Sequence, residues 1–278
     1  MGKINEEAKR RYFERIKEYK GTIEQILKQE AGLLQVIRRE NKDNESRRVT
    51  LAEANMNMVS YLVLMNALSV TLLGVKNEAF LNDARKGCYK SIIYLEEAVT
   101  PLIDVPFSDY EEHLVRLVAF DDASRYRLVR KLGLAVQSVV DDFGDNSKWK
   151  WSFVELRGRY ATVTKNLLNL KTLVAGMDPR VPGYEERTAH LTLVKRLLQQ
   201  AADGYRQKYE LSTVRIDDFK LAISYLSALR RIQMILGEAE DADSLRKKIE
   251  VWKAKMETDL RKREAGLRDD KTAPQQRK

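Results

Sequence analysis

The sequence predicts an all-α protein, a multi-helix bundle of about eight long antiparallel helices. The first observation behind this prediction is the scarcity of turn-forming residues, with 13 glycines and 5 prolines among 278 residues. Because few residues interrupt the secondary structure, its elements must be long. Long elements are usually helices, since strands are short. The second observation is that apolar residues recur every three or four positions, which is the period of a helix with one buried face.

The first predicted helix runs roughly from Glu6 to Arg39. Its apolar residues form one stripe along the helix, opposite a charged face. They are Ile16, Tyr19, Ile23, Ile26, Leu27, Leu34 and Ile37. The polar stretch 41–48 breaks this pattern, so the helix is expected to end before it.

The second predicted helix carries no charged residue over positions 54–75. Thr50 and Glu53 have the spacing of a capping box, which predicts the start of this helix. A helix that is apolar all round is either buried or in a membrane. Asparagine, serine and threonine recur through this run, and no other predicted helix resembles it. We therefore interpret it as a central helix of a soluble bundle, buried on nearly all sides, with Leu64 and Leu68 in the core.

The remaining helices follow from the same periodicity and from caps. They are predicted at about 77–100, at 108–143 from a capping box at Ser108 and Glu111, at 152–176 from a cap at Ser152 and Glu155, at 184–211, at 214–236 after a cap near Ser212, and at 242–263. Short loops between long helices predict antiparallel neighbours.

The clearest loop is 178–183, where two prolines in five positions rule out a continuous helix. It divides the expected domains into an N-terminal helical bundle over 1–176 and C-terminal helices over 184–267 that pack on it. The tail over 268–278 is polar and contains Pro274, which predicts disorder.

An alternative architecture is a tetratricopeptide-like array of helical hairpins. Ser91, Leu95 and Ala98 keep the small–large–small spacing found in the second helix of such a repeat. The predicted helices look too long for repeats of about 34 residues. We therefore favour the bundle.

Several classes of site lack the residues that they need. Cys88 is the single cysteine, which excludes an internal disulfide and a cysteine-based zinc site. Neither His113 nor His190 follows a glutamate by three positions, as di-iron bundles require. No glycine-rich nucleotide-binding motif occurs. We therefore expect no metal, no cofactor, no catalytic residue, and a protein that is not an enzyme.

The net charge of +9 is concentrated at the two ends of the chain. Residues 1–48 carry 13 basic and 9 acidic side chains, and residues 245–278 carry 12 basic and 6 acidic ones. The basic character thus belongs to the terminal helices and not to a uniformly basic nucleic-acid-binding surface. The N-terminus is charged and lacks the apolar run of a secretory signal, so a cytoplasmic location is expected.

The most distinctive segment alternates cations with indoles at Lys148, Trp149, Lys150 and Trp151, and Arg157 follows on the same predicted helix. Tryptophan and arginine are favoured in protein interfaces, which indicates binding of an acidic protein segment. Stacking aromatics and cations also suit a nucleic acid or an acidic lipid. In a third interpretation, the aromatic rings close one end of the bundle while the lysines stay solvated. Since the segment flanks a turn, we expect at least one indole to be partly exposed.

A second basic cluster consists of Arg127, Arg130 and Lys131, which share a helix face by their three- and four-residue spacing. Such a cluster can bind an acidic or phosphorylated segment. Neighbouring aspartates make an ordinary ion-paired surface the competing interpretation.

These observations favour a non-catalytic interaction or scaffold protein that binds an acidic protein segment. The first alternative is binding of nucleic acid or an anionic surface through the basic terminal helices. The second alternative is an enzyme of unrecognised type. A membrane partner is not expected, and the sequence leaves the oligomeric state open.

Overall fold

The computed structural model describes residues 6–40, 44–117, 120–144 and 148–272, with the side chains of the last helix described to residue 263. These ranges contain nine α-helices and no strand, which confirms the predicted all-α class. The helices are α1 (Glu6–Glu40), α2 (Glu45–Leu73), α3 (Glu78–Ala98), α4 (Glu111–Arg116), α5 (Asp122–Phe143), α6 (Lys150–Asn166), α7 (Tyr184–Lys208), α8 (Ile216–Ile235) and α9 (Ala239–Thr272).

The chain divides into two compact units, Met1–Val194 and Lys195–Lys278. The division falls within α7, whereas the predicted domains over 1–176 and 184–267 are separated at the proline-containing loop. Helix α9 continues to Thr272, into the predicted tail over 268–278. Residues 273–278 of that tail lie outside the described part of the chain.

Helices α2, α3, α5 and α6 of the first unit alternate in direction, and α3 and α5 lie between α2 and α6. Helices α2 and α3 are antiparallel and lie close together at Gly87, where a Cβ atom would come within 2.7 Å of Val59 Cγ2. Helices α5 and α6 are antiparallel too, because Phe143 packs on Phe153 at 5.4 Å between ring centroids. Towards the other end of this pair, the Tyr160 hydroxyl donates a hydrogen bond to the carbonyl oxygen at position 129.

Helix α1 packs antiparallel along the outside of α2. Tyr19 lies against Tyr61, with ring centroids 5.6 Å apart, and Asn55 Nδ2 donates a hydrogen bond of 2.9 Å to Glu30 Oε1. Helices α3 and α5 cover other sides of α2. The neighbours of α2 therefore leave one strip of its surface open.

The expectation that α2 is buried on nearly all sides is wrong. Leu64 is 47% exposed and Leu68 is half-buried, whereas Met56, Val59 and Met65 are buried. Within the described part of the chain, α2 is the one helix long and apolar enough to cross a membrane by length and composition. Its most apolar 18-residue stretch is 39% buried.

The predicted capping boxes are not used. Thr50 lies inside α2, where its hydroxyl donates a hydrogen bond to the carbonyl oxygen of Ser46 at 3.1 Å. Ser108 donates to Asp109 and does not cap α4. Ser152 lies inside α6, and Ser212 lies in the π-turn Tyr209–Thr213 that precedes α8.

Side-chain N-caps are formed instead at the starts of α3 and α5. Asn77 caps α3 by accepting a hydrogen bond from the Phe80 backbone N–H, and Asp121 caps α5 by accepting one from Ser124. The Asp121 cap begins a new helix where the sequence predicts one continuous helix over 108–143. Helix α6 ends at Asn166, ten residues before its predicted end at Gly176.

The second unit is organised around stacked aromatic side chains. Phe219 of α8 lies between Tyr209, at 4.8 Å between ring centroids, and Trp252 of α9, at 5.7 Å. Trp252 is buried, as are Leu245 and Ile249 on the same stripe of α9. This stack fixes α9 against α8.

Candidate functional site

Helix α6 begins without the features that usually stabilise a helix start. Its N-cap residue is Trp149, which makes no side-chain capping hydrogen bond, and its first turn contains no acidic residue. Lys150 instead occupies the first helical position, where the positive end of the helix dipole disfavours a cation. The local sequence thus concentrates positive potential at this helix end.

Trp149 belongs to the packing at the end of the bundle. Its ring lies edge-on to Phe143 at 6.4 Å, and the Arg85 guanidinium lies 4.0 Å from the ring centroid. Phe143 also contacts Phe153, which is buried. Trp149 therefore matches the interpretation in which an aromatic ring closes one end of the bundle.

Trp151 lies beside an outward strip of α6. Lys150, Val154 and Arg157 have four- and three-residue spacing, so they share one side of the helix. Lys150 and Arg157 are exposed, Val154 and Trp151 are half-buried, and the Lys150 ammonium lies 5.0 Å from the centroid of the Trp151 ring. We call these four residues the Trp151 face.

The cations of the Trp151 face have no carboxylate within ion-pair distance among the described residues. Lys148, two residues before Lys150, forms a 3.4 Å ion pair with Glu78 and is therefore not counted among these cations. The Trp151 face therefore combines two uncompensated cations with an indole and an aliphatic side chain.

The opposite side of α6 is held by polar contacts to α3. The Tyr89 hydroxyl donates a hydrogen bond of 2.8 Å to the carbonyl oxygen of Ser152, and burial raises the pKa of Tyr89. Further along, Arg159 Nε donates to Glu96 Oε1 at 2.9 Å in a bidentate pair. These contacts fix the orientation of α6, so the Trp151 face is a preformed surface.

The second predicted cluster lies elsewhere on the first unit. Arg127 and Arg130 are exposed on α5, and the Lys131 ammonium lies 4.0 Å from Glu53. The end of α5 that contacts Trp149 is at Phe143, so Arg130 lies about 20 Å from it along the helix axis. The structure therefore separates the eight predicted binding residues into two surfaces.

Sequence reasoning missed a buried polar cluster between α1, α2 and α3. The Glu30 carboxylate accepts hydrogen bonds from Lys90 Nζ at 2.6 Å, from the Tyr94 hydroxyl at 2.6 Å and from Asn55 Nδ2 at 2.9 Å. Burial alone would raise the pKa of Glu30, but these three donors outweigh burial and lower it. The signals in the sequence were an asparagine within an apolar run and a Lys–Tyr pair four residues apart.

A second buried cluster fixes the loop between α6 and α7. Arg187 pairs with Asp122 and donates a hydrogen bond of 2.6 Å from Nη1 to the carbonyl oxygen of Gly176. His190 Nε2 donates to the carbonyl oxygen of Thr164 at 2.9 Å. Burial lowers the pKa of His190 to about 4. His190 is buried, and its hydrogen bond ties α7 to the end of α6.

The described side chains contain no group of three or more histidines, cysteines, aspartates or glutamates arranged to hold a metal ion. Cys88 is buried, and burial raises the pKa of its thiol to about 12. A thiol with so high a pKa is a poor nucleophile at neutral pH.

Comparison with known proteins gives a family assignment. The model of the TP0443 family matches residues 8–260, which include all or most of every described helix. No curated protein and no solved structure matches the chain.

Proposed function

The chain belongs to the TP0443 family, and we propose that it is a non-catalytic interaction protein that binds an acidic protein segment on its Trp151 face. The observation that carries this proposal is that Lys150 and Arg157, beside the half-buried indole of Trp151, have no carboxylate within ion-pair distance in the described part of the chain. The proposal concerns the surface of the first unit, and the cytoplasmic location stays a prediction from sequence.

The chemistry of the Trp151 face favours a carboxylate-bearing partner. Lys150 and Arg157 can each donate charge-assisted hydrogen bonds, which are stronger than hydrogen bonds between neutral groups. The positive end of the α6 dipole adds to the attraction of an anion. Trp151 and Val154 supply apolar area that a partner side chain would cover, and tryptophan is enriched among the residues that dominate binding energy.

The charges of α1 favour this surface over the basic N-terminal helix. Four cations in the first half of α1 form ion pairs within that helix, at spacings of three or four residues. The pairs are Lys9–Glu6, Arg10–Glu14, Arg11–Glu7 and Arg15–Glu18. Since each of these four cations has a nearby carboxylate, they offer no single-sign field for a nucleic acid.

The test compares affinity capture from native lysate by the full chain with capture by two charge-reversed variants. Lys150→Glu with Arg157→Glu reverses the Trp151 face. Arg127→Glu with Arg130→Glu changes the net charge equally on the other cluster. We expect the captured partner to be lost by at least about tenfold with the first variant, and to be retained with the second.

The interface is then mapped with the identified partner segment. Trp151→Ala should weaken its binding by over about 1 kcal/mol, because truncating an interface tryptophan removes much of the buried apolar contact. Nuclease treatment before capture shows whether a nucleic acid bridges the two proteins. Equal capture by both charge-reversed variants, or capture abolished by nuclease, would contradict the proposal.

A further inference from the structure

A groove runs between α1 and α2 along the open strip of α2. Its uncharged part is a cavity of about 600 Å³ lined by residues that include Ile26, Ser60 and Leu64. A neighbouring cavity of about 580 Å³ continues the groove towards the start of α1 and the end of α2, where Leu68 and Leu72 line it. We call both parts together the α1–α2 groove.

The strip of α2 beside this groove is unusual for an exposed helix surface. Ser60, Leu64, Ala67 and Thr71 follow one another at three- and four-residue spacing and are all exposed. No charged residue occurs over positions 54–75, although a third of the whole chain (33%) is charged. An exposed uncharged strip next to a groove is typical of an interface.

The charges that line the groove select the kind of partner. Its uncharged part has no ionisable side chain other than Tyr61, and its other part is lined by two arginines and two glutamates. These are Arg11, Glu14, Arg15 and Glu18. With no net charge, the groove offers no electrostatic advantage to an acidic segment or to a nucleic acid. Positive and negative side chains alternate along this part of α1. When two copies of such a surface meet in opposite directions, each cation of one copy faces a carboxylate of the other.

We propose that the α1–α2 groove and the uncharged strip of α2 form a twofold-symmetric interface with a second copy of this chain. In such an interface the same patch of each copy contacts the patch of the other. Each side chain of the patch must therefore fit against another side chain of the same patch. Leu64 lies near the middle of the strip, between the small side chains Ser60 and Ala67. In an antiparallel contact of two α2 helices, Leu64 of each copy fits against these small residues of the other.

This dimer leaves the Trp151 face unused, because α6 does not pack on α2 within the described contacts. The two interfaces are therefore separable, and failure of one proposal says nothing against the other.

The test is the molar mass of the purified full chain, measured by light scattering and sedimentation over a wide range of concentrations. We expect the mass to rise with concentration from 32.2 kDa towards twice that value. Leu64→Glu should weaken the dimer by at least about tenfold, since it buries like charges at the centre of the interface. Leu134→Glu is the matched control, because Leu134 is an exposed leucine of α5 away from the groove, and it should leave the dimer intact.

A charge-swap experiment keeps the proposal testable if the glutamate variant is disturbed for another reason. An equimolar mixture of Leu64→Glu and Leu64→Lys should form heterodimers at concentrations at which each variant alone is monomeric. A mass of 32.2 kDa at every concentration, or a dimer that Leu64→Glu does not weaken, would overturn the proposal. Flotation of the wild-type chain with neutral phospholipid vesicles, lost in Leu64→Glu, would also overturn it and assign the strip to a membrane surface.

Discussion

His190 shows how a single buried titratable group links the fold to pH. The ring donates to the Thr164 carbonyl and is held neutral by burial, with a pKa of about 4 in the folded chain. In the unfolded chain the ordinary value is about 6.5. The unfolded state therefore takes up a proton in a range of pH where the folded state does not.

The expected result is a loss of stability as the pH falls from about 6.5 towards 4. Above this window both states are neutral at His190 and the full stability is present. Between pH 6.5 and pH 4 the free energy of unfolding should fall by about 3 kcal/mol, because each unit of difference between the two pKa values contributes 1.36 kcal/mol. Urea unfolding of wild type and of His190→Gln at several pH values measures this. An equally steep pH dependence in the variant would show that another group is responsible.

Gly176 illustrates what the sequence could not reveal at this scale. A Cβ atom there would lie 2.3 Å from Arg187 Nη1, so glycine is required for the guanidinium to lie against the loop. Neither residue belongs to a motif, and they are 11 positions apart in different elements. The Arg187–Asp122 pair depends on the path of the whole loop, and periodicity carries no information on that path.

At the level of elements, α2 has two faces that its composition does not distinguish. Its apolar residues surround the helix, so a period of 3.6 is hidden and the sequence suggests burial all round. The structure resolves the faces, with Met65 buried and Leu64 on the open strip. The open strip is the part that sequence alone assigned wrongly.

Two substitutions on adjacent positions test this arrangement. Met65→Ala should lower the free energy of unfolding by about 2–5 kcal/mol, since it leaves a cavity in the core. Leu64→Ala should cost under about 1 kcal/mol in the monomer, because an exposed leucine loses little burial. Chemical denaturation at low protein concentration gives both values. A large loss at Leu64 with none at Met65 would mean that the helix is rotated relative to the described contacts.

The sequence predicted helix limits correctly where a periodic apolar stripe determines them. It failed at the N-caps, where local hydrogen bonds determine the helix start. Helices α1 and α3 begin and end within two residues of their predicted limits because amphipathic stripes extend over many turns. The predicted caps at Thr50 and Ser152 were wrong, since a serine or threonine hydroxyl can bond within a helix or to a neighbouring helix equally well. At the candidate site, the sequence predicted both tryptophans as binding residues. Only the structure distinguishes them, because Trp149 packs on Phe143 whereas Trp151 lies beside the exposed Lys150.

For the whole molecule, the distribution of charge is more informative than its total. The chain carries +9, yet several cations of the terminal helices α1 and α9, such as Lys9, Arg15, Arg246 and Lys255, are paired with carboxylates one turn away. Paired charges produce a weak field beyond a few ångströms, and salt weakens it further. The basic pI therefore does not by itself indicate affinity for nucleic acid.

Binding of duplex DNA should accordingly be weak and confined to low salt. We expect any increase in the fluorescence anisotropy of a labelled duplex at low ionic strength to disappear near physiological salt, because few phosphates are neutralised. The acidic partner segment should remain bound there, since Trp151 contributes apolar contact that salt does not screen. Tight duplex binding at physiological salt would instead favour a nucleic-acid function for the terminal helices.

Cys88 has a practical consequence for studying this protein. It is the single cysteine of the chain, and its thiol is buried within α3 with a pKa of about 12. Maleimide reagents attack the thiolate, so Cys88 should stay unlabelled at neutral pH while the protein is folded. A cysteine introduced on the surface would then be the one reactive thiol. Fluorophores or spin labels can thus be attached at chosen positions of the native sequence, without the core substitution that most such experiments require.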